Sequence, residues 1–139
     1  MAIKLIVFDL DYTLHNGSSL FEGVQEAIEK YRESGMRVCV ASYNRFAGVI
    51  LRRYGVSHLF DFIIGGYLSY PKSVHLKSLL DLYSTKTKYS FTPDEIVFVD
   101  DMTDVCKELK NTYPSMRVIN CDPSTGVDIE ELQKVVHAS

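Results

Sequence analysis

Apolar positions in this chain alternate between short, nearly continuous runs and stripes spaced three and four residues apart. The first run, Ile3-Lys4-Leu5-Ile6-Val7-Phe8, is nearly unbroken and β-branched, as expected of a strand covered on both faces. Val24, Ala27, Ile28 and Tyr31 then recur at helical spacing, and Ser34-Gly35 predicts where that helix stops. The alternation continues with a strand at Val38-Cys39-Val40-Ala41 and a helix carrying Phe46, Val49, Ile50 and Tyr54, closed by Gly55. Phe62-Ile63-Ile64 predicts a third strand, ended by Gly65-Gly66, and Leu76, Leu79, Leu80 and Tyr83 a third helix. A strand at Ile96-Val97-Phe98-Val99 and a helix with Val105 and Leu109 follow. Val118-Ile119 and a last helix with Ile129, Leu132 and Val136 complete the pattern.

Strands alternating with helices predict an α/β fold: a three-layer, Rossmann-like, doubly wound parallel sheet of five strands in the order 5-4-1-2-3. The expected organisation is a single domain over residues 1–139. In this order strand 1 lies beside strand 4, and ligands bind at the carboxyl ends of strands where the winding reverses. A site is therefore expected just after Phe8 and just after Val99.

Composition narrows the classes. With 46% hydrophobic and 24% charged residues the chain has ordinary globular usage, which argues against disorder. A net charge of −3 argues against a dedicated nucleic-acid coat. No apolar run approaches the roughly 18 residues of a membrane span, so no membrane association is expected. The first residues lead straight into a strand-like run, with no signal-peptide pattern. Cys39, Cys106 and Cys121 lack CxxC or Cys/His spacing and fit reduced thiols better than disulfides or a zinc site, so a cytoplasmic setting is expected.

Acidic residues stand at both strand ends singled out by the topology: Asp9 and Asp11 after strand 1, and Asp100, Asp101 and Asp104 after strand 4. Carboxylates this close repel one another unless a hard divalent cation sits among them, and Mg²⁺ takes oxygen ligands of this type. Such a cation neutralises a phosphate and makes one aspartate a usable nucleophile. For Asp101 and Asp104 a loop- or helix-capping role is an equal alternative. Ser42, in Ala41-Ser42-Tyr43-Asn44 after strand 2, can hold phosphate oxygens with its hydroxyl and the neighbouring N–H groups; Tyr43 and Asn44 are further candidate substrate contacts. Lys72, in Tyr70-Pro71-Lys72-Ser73 ahead of the third helix, can set positive charge against a transferring phosphoryl, with Lys77 one turn on as a competitor.

Asp9-Leu10-Asp11-Tyr12-Thr13-Leu14, Ser42, Lys72 and Asp100-Asp101, in that order, resemble the motifs of the haloacid dehalogenase superfamily of phosphohydrolases over roughly residues 3 to 121. The tyrosine in the first motif is similar to the magnesium-dependent phosphatase, or DxDYT, branch. There a Tyr-Pro turn carries the active lysine and a His-aromatic pair follows; Tyr70-Pro71-Lys72 with His75 is similar, although the spacer between Pro and Lys is missing. Val99 stands where the family's GDxxxD pattern has glycine. The resemblance implies Asp9 as nucleophile, forming an aspartyl-phosphate, and Asp11 as general acid and then base. It also implies Mg²⁺ held by the Asp9 and Asp100 carboxylates and the Asp11 backbone carbonyl. Ser42 would hydrogen-bond the phosphoryl group and Lys72 would stabilise its charge. Asp101 and Asp104 stay open between direct metal contact and an outer position.

The stretches from Asp11 to Glu22 and from Ile64 to Lys72 are too short for the cap domain that many superfamily members insert. An open site relies on its substrate to exclude water, which favours a phosphoprotein or a nucleic-acid end. Capless relatives also act on sugar phosphates, which keeps a small-metabolite phosphatase as an alternative beside a catalytically weak or inactive binding module. His15 and Asn16 fall in the expected flap, as substrate contacts or as a polar turn. A receiver domain is disfavoured, because its acceptor aspartate follows strand 3, where this chain has Ile64-Gly65-Gly66.

Overall fold

The computed structural model describes residues 2–137. Five strands, β1 (Leu5–Phe8), β2 (Arg37–Ser42), β3 (Ile63–Gly65), β4 (Ile96–Asp100) and β5 (Arg117–Asn120), alternate with five helices. The helices are α1 (Val24–Glu33), α2 (Ala47–Arg53), α3 (Lys72–Lys86), α4 (Thr103–Thr112) and α5 (Ile129–Val136). The sheet runs β3-β2-β1-β4-β5 with every pairing parallel, the order expected from the alternation. Phe8 sits level with Val40 on one side and Val99 on the other, so the tips of β2, β1 and β4 end side by side.

The pleat divides each central strand between two apolar layers. Ile6, Phe8, Val38, Val40, Val97 and Val99 pack with residues of α1, α2 and α5. Leu5, Val7, Cys39, Ala41, Ile96 and Phe98 pack with α3 and α4. Both faces are thus covered, which is why these strands read as continuous apolar runs rather than as alternations. The winding changes face at β1, the condition for a crevice at its carboxyl end. Only short connections, 9–23 and 66–71, join β1 to α1 and β3 to α3. Neither contains an inserted domain.

Local details differ from the sequence expectation in two places. β1 begins at Leu5 rather than Ile3; Lys4 leads into it, its N–H donating to the Glu95 carbonyl, its carbonyl accepting from the Arg37 N–H, and its ammonium pairing with the Glu95 carboxylate at 2.7 Å. α3 begins at Lys72 itself, directly after Pro71 in an extended conformation, so Lys72 is the first helical residue rather than a residue ahead of the helix. The stop at Gly35 is as expected, with φ of 94°. Gly65 is required by close approach, since a Cβ there would lie 2.4 Å from the Asn44 carbonyl oxygen. A side chain at that position would push away the loop that follows β2.

All three cysteines are free and buried, and burial pushes the Cys106 thiol up to about 12 and the Cys121 thiol up to about 11, so both stay protonated. No helix among the described residues is long and apolar enough to cross a membrane. Lys86 and Lys88 are exposed, while Tyr89 packs: Arg37 lies 4.9 Å over its ring, which stacks on Phe91.

Asp61, just before β3, gathers a polar cluster on the sheet. Arg37 reaches it through both Nε, at 2.8 Å, and Nη2, while Arg32 Nη1 donates at 3.2 Å and the Tyr83 hydroxyl at 2.9 Å. Burial works to raise the Asp61 pKa, but the bonds from Arg37 and Tyr83 outweigh it and hold the carboxylate below its usual range. Because the folded pKa is depressed, this stabilisation is present above the ordinary carboxylate pKa and is lost as pH falls through the lowered value. Asp61→Ala leaves two guanidinium groups and a phenol without their shared acceptor and is expected to lower stability by about 2–4 kcal/mol at pH 7. Urea unfolding checks this, and the loss is expected to shrink toward pH 3.

Candidate active site

Asp9 follows the last residue of β1, and Asp100 is the last residue of β4. Both are buried, at 7% and 0% exposure. Lys72, in the first turn of α3, reaches between them: its Nζ donates to Asp9 Oδ1 at 3.1 Å, to Asp100 Oδ2 at 2.9 Å and to the Ala41 carbonyl at 2.9 Å. All three ammonium donors therefore have partners, one on each of three adjacent strand tips. The Tyr43 ring lies 4.9 Å from the same nitrogen and Phe98 5.8 Å, so aromatic faces cover the cation where carboxylates do not. Lys77 is exposed on the helix and takes no part in this cluster.

Thr13 Oγ1 donates to Asp9 Oδ2 at 3.3 Å, and the Met102 N–H donates to Asp100 Oδ1 at 3.0 Å. The second contact turns the chain sharply after β4 and brings Asp101 back toward Asp9. Oxygen atoms of Asp9, Asp100 and Asp101 all lie within 4.8 Å of one another. Asp104, in the first turn of α4, is exposed and outside this trio. The structure thus separates the two acids that the sequence left equivalent.

Burial pushes the Asp9 carboxyl up to about 6, against the opposing pull of Lys72. Asp100 is also raised, first by burial and then by the charge of Asp9. Asp101 is raised by burial as well. For Lys72 burial works to lower the pKa, but Asp9 and Asp100 together hold it above the ordinary lysine value. Three carboxylates against one ammonium leave an excess of negative charge in a buried setting, and the raised acids are its consequence.

Asp11 sits at the mouth of this cluster, its side chain 42% exposed. Its carboxylate does not join the trio; it accepts from His15 Nε2 at 2.7 Å and from Asn44 Nδ2 at 3.2 Å. Ser42, the last residue of β2, is buried, and its hydroxyl accepts from the Asn44 N–H at 3.0 Å. Ser42, Tyr43 and Asn44 are therefore all brought to the site, but Asn44 contacts Asp11 and Tyr43 contacts Lys72. His15, expected as a substrate contact or a polar turn, is instead a buried partner of Asp11. His75 ties the β3–α3 connection down, its Nε2 lying 2.9 Å from the Gly66 carbonyl.

A groove of about 440 Å³, reached by the Tyr43 and Asn44 that contact Lys72 and Asp11, is lined also by Arg45, Phe46, Tyr67 and Leu68. A second cavity of about 540 Å³ runs along β3 and α3, and the carboxylates line neither of the two. Phe46, Tyr67, Leu68 and Tyr70 are each more than half exposed, giving the rim an apolar, aromatic character.

No family model matches this sequence, and no curated protein matches it. Solved structures do. The core domain of a provisionally assigned phosphoglycolate phosphatase from Streptococcus pneumoniae superposes with a TM-score of 0.71 at 19% identity, covering 100% of this chain and 98% of that one. A phosphatase domain in the N-terminal part of a Bacteroides fragilis protein, complexed with Mg, gives 0.72 at 17% identity, covering 98% of this chain and 40% of that chain. The cobalt-bound deoxy-D-mannose-octulosonate 8-phosphate phosphatase from Haemophilus influenzae gives 0.62 at 13% identity, covering 96% and 86%. The strand order and these likenesses show that this chain shares the fold of these phosphatase structures, with acids at the tips of β1 and β4.

Proposed function

We propose that this chain is a Mg²⁺-dependent phosphomonoesterase that works through an aspartyl-phosphate on Asp9. The observation that carries the reading is the convergence of Asp9, Asp100 and Asp101 on one point beside Lys72, at the tips of the two central strands. The donor set fits Mg²⁺: all-oxygen, carboxylate-rich, and short of positive charge in a buried place. Asp9, Asp100 and the Asp11 backbone carbonyl would hold the ion, with Asp101 as the further carboxylate in reach. When bound, the ion neutralises phosphate oxygens and orients the group for in-line displacement.

The chain's own residues divide the remaining work. An Asp9 oxygen attacks phosphorus, forming an O–P bond as the bond to the leaving oxygen breaks. Asp11 delivers a proton to that oxygen, so a neutral alcohol departs. A water then attacks the phosphorus, Asp11 takes its proton, and the O–P bond to Asp9 breaks, returning the carboxylate and releasing phosphate. Lys72 stabilises the equatorial charge throughout, and Ser42 with the following N–H groups binds the remaining oxygens. The open mouth and aromatic rim support an extended substrate, a phosphoprotein or a polynucleotide end, whose bulk would cover the site. A sugar phosphatase is the second reading, favoured by the octulosonate phosphatase among the structural neighbours.

The test is hydrolysis of 4-nitrophenyl phosphate by the purified chain, expected to require Mg²⁺ and to stop on chelation. A panel with phosphotyrosine peptide, 3′- and 5′-phosphorylated oligonucleotides and sugar phosphates then ranks the substrate classes. A thermodynamic signature accompanies activity. Asp9 has a folded pKa of about 6, above its unfolded value, so folding favours its protonated form. The metal-free protein is therefore expected to lose stability as pH rises through about 6. Mg²⁺ replaces that proton, so the rise in Tm on adding Mg²⁺ should be larger at pH 8 than at pH 5. Absence of any Mg²⁺ effect at either pH counts against the metal site.

A further inference from the structure

The Asp11 carboxylate is half-exposed, yet it is held by a buried side chain. His15 is 3% exposed, with Nε2 2.7 Å from Asp11 Oδ1 and Nδ1 2.6 Å from the Tyr54 hydroxyl. Tyr54 is the residue that ends α2, and its ring meets the imidazole edge-on at 5.4 Å. The flap backbone fixes the imidazole from its other side: the Tyr12 N–H donates to the His15 carbonyl at 2.8 Å, and His15 bridges to Leu20. For a neutral imidazole a single proton arrangement satisfies the whole chain of groups. A carboxylate can only accept, so Nε2 carries the proton toward Asp11; a neutral imidazole then accepts at Nδ1, and the Tyr54 O–H supplies that donor.

The two oxygens of Asp11 are not equivalent in this arrangement. Oδ1 receives the short bond from the buried imidazole. Oδ2 receives only the 3.2 Å contact from Asn44 Nδ2, whose amide orientation is set because its Oδ1 accepts from the Phe46 N–H at 2.8 Å. The longer contact is the one more readily exchanged for a bond to a leaving group or a water.

We propose that His15, locked by Tyr54, is the positioning residue for Asp11: it holds Oδ1 and so dedicates Oδ2 to proton exchange with the substrate. The proposal rests on the phosphatase reading above and adds to it the device that aims the acid. An unsupported aspartate with this exposure would sample several rotamers, and only a fraction would face the departing oxygen. The imidazole bond to Oδ1 is available whether Oδ2 carries a proton or not, so the same support serves both halves of the reaction.

The readout is leaving-group dependence, because 4-nitrophenolate departs without protonation whereas an alkoxide needs the proton from Asp11. His15→Ala is expected to lower kcat/KM, which reports formation of the aspartyl-phosphate, about 100-fold on glycerol 1-phosphate and by less than about 10-fold on 4-nitrophenyl phosphate. His15→Gln, which keeps an N–H donor, is expected to recover most of the loss on the alkyl ester. Tyr54→Phe, which keeps the ring and removes the lock, should show the same preference for the better leaving group at smaller size. Equal losses on both esters, with no recovery by His15→Gln, would show that His15 only holds the flap together and would overturn the proposal.

Because His15 is buried, alanine also leaves a void, so a second measurement stands apart from turnover. ¹⁵N imidazole spectra of the metal-free protein are expected to show His15 protonated at Nε2 and accepting at Nδ1, with the Nδ1 resonance moving in Tyr54→Phe. The opposite tautomer, or a resonance indifferent to Tyr54→Phe, also overturns the proposal. Failure of the parent protein to hydrolyse any phosphate ester would instead strike the phosphatase reading, and the spectra would still report whether the Tyr54–His15–Asp11 chain exists.

Discussion

Asp9→Asn is expected to lose turnover and gain stability. The amide is no nucleophile, so kcat should fall by about 10⁴-fold or more, the scale reached when a covalent nucleophile is removed. Stability should move the other way in the absence of metal. The fold holds the Asp9 carboxyl up at about 6, so at pH 8 the charged form is one that folding disfavours. Asparagine removes that charge, keeps an oxygen for Lys72 and turns its NH₂ toward the Thr13 hydroxyl oxygen, which can accept, and leaves Asp100 as the undisputed partner of the ammonium. The expected result is a higher urea midpoint than the parent at pH 8 without Mg²⁺, and a smaller response when Mg²⁺ is added. Turnover within about tenfold of the parent would remove Asp9 from the nucleophile's role.

Lys72→Met should damage both properties. Methionine keeps much of the lysine's length but supplies no donor, so Asp9, Asp100 and the Ala41 carbonyl lose their shared partner together. Leaving buried carboxylates without their cation costs about 3–5 kcal/mol. Because both acids already have raised pKa values, protonation relieves the defect: the loss should be large at pH 8 and much smaller at pH 5. Mg²⁺ should return part of the stability, since it supplies positive charge at the same place, but not the activity, since the phosphoryl group loses its ammonium. Lys77→Met, on the exposed face of the same helix, serves as the control and should change stability by no more than about 0.5 kcal/mol. Similar effects of the two substitutions would refute the central place of Lys72. Urea unfolding at the two pH values, with and without Mg²⁺, makes the comparison.

Much of this architecture could be read from the chain because burial on both faces writes each central strand as a continuous apolar run. Once the runs and stripes alternate, handedness and the winding rule leave few strand orders, and the tips of β1 and β4 become the place to look. That Asp9 and Asp100 sit there follows from their position one residue beyond an apolar run. Their partners were less legible, since each depends on how a loop turns. Asp101 and Asp104 look alike in the sequence; the Met102 N–H on Asp100 bends the chain so that one joins the cluster and the other faces solvent. Asn44 stands where a substrate contact is expected, yet the cap it makes on Phe46 aims its amide at Asp11. The link between His15 and Tyr54 spans 39 positions, and no local pattern announces it. The four-residue step from Asp11 to His15 was the one available hint, and it lies in a turn rather than a helix, where such spacing carries no regular meaning.

The ammonium of Lys72 reaches back 63 residues to Asp9 and 31 to Ala41, and forward 28 to Asp100. Contacts so distant along the chain repay their loop-closure entropy only after the strands that carry them have found their register. The cluster is therefore expected to be absent from the folding nucleus and to assemble on the native side of the barrier. Weakening it should hasten escape from the native state while leaving the speed of refolding nearly untouched, so that the residues assigned to chemistry also govern how long each folded molecule lasts.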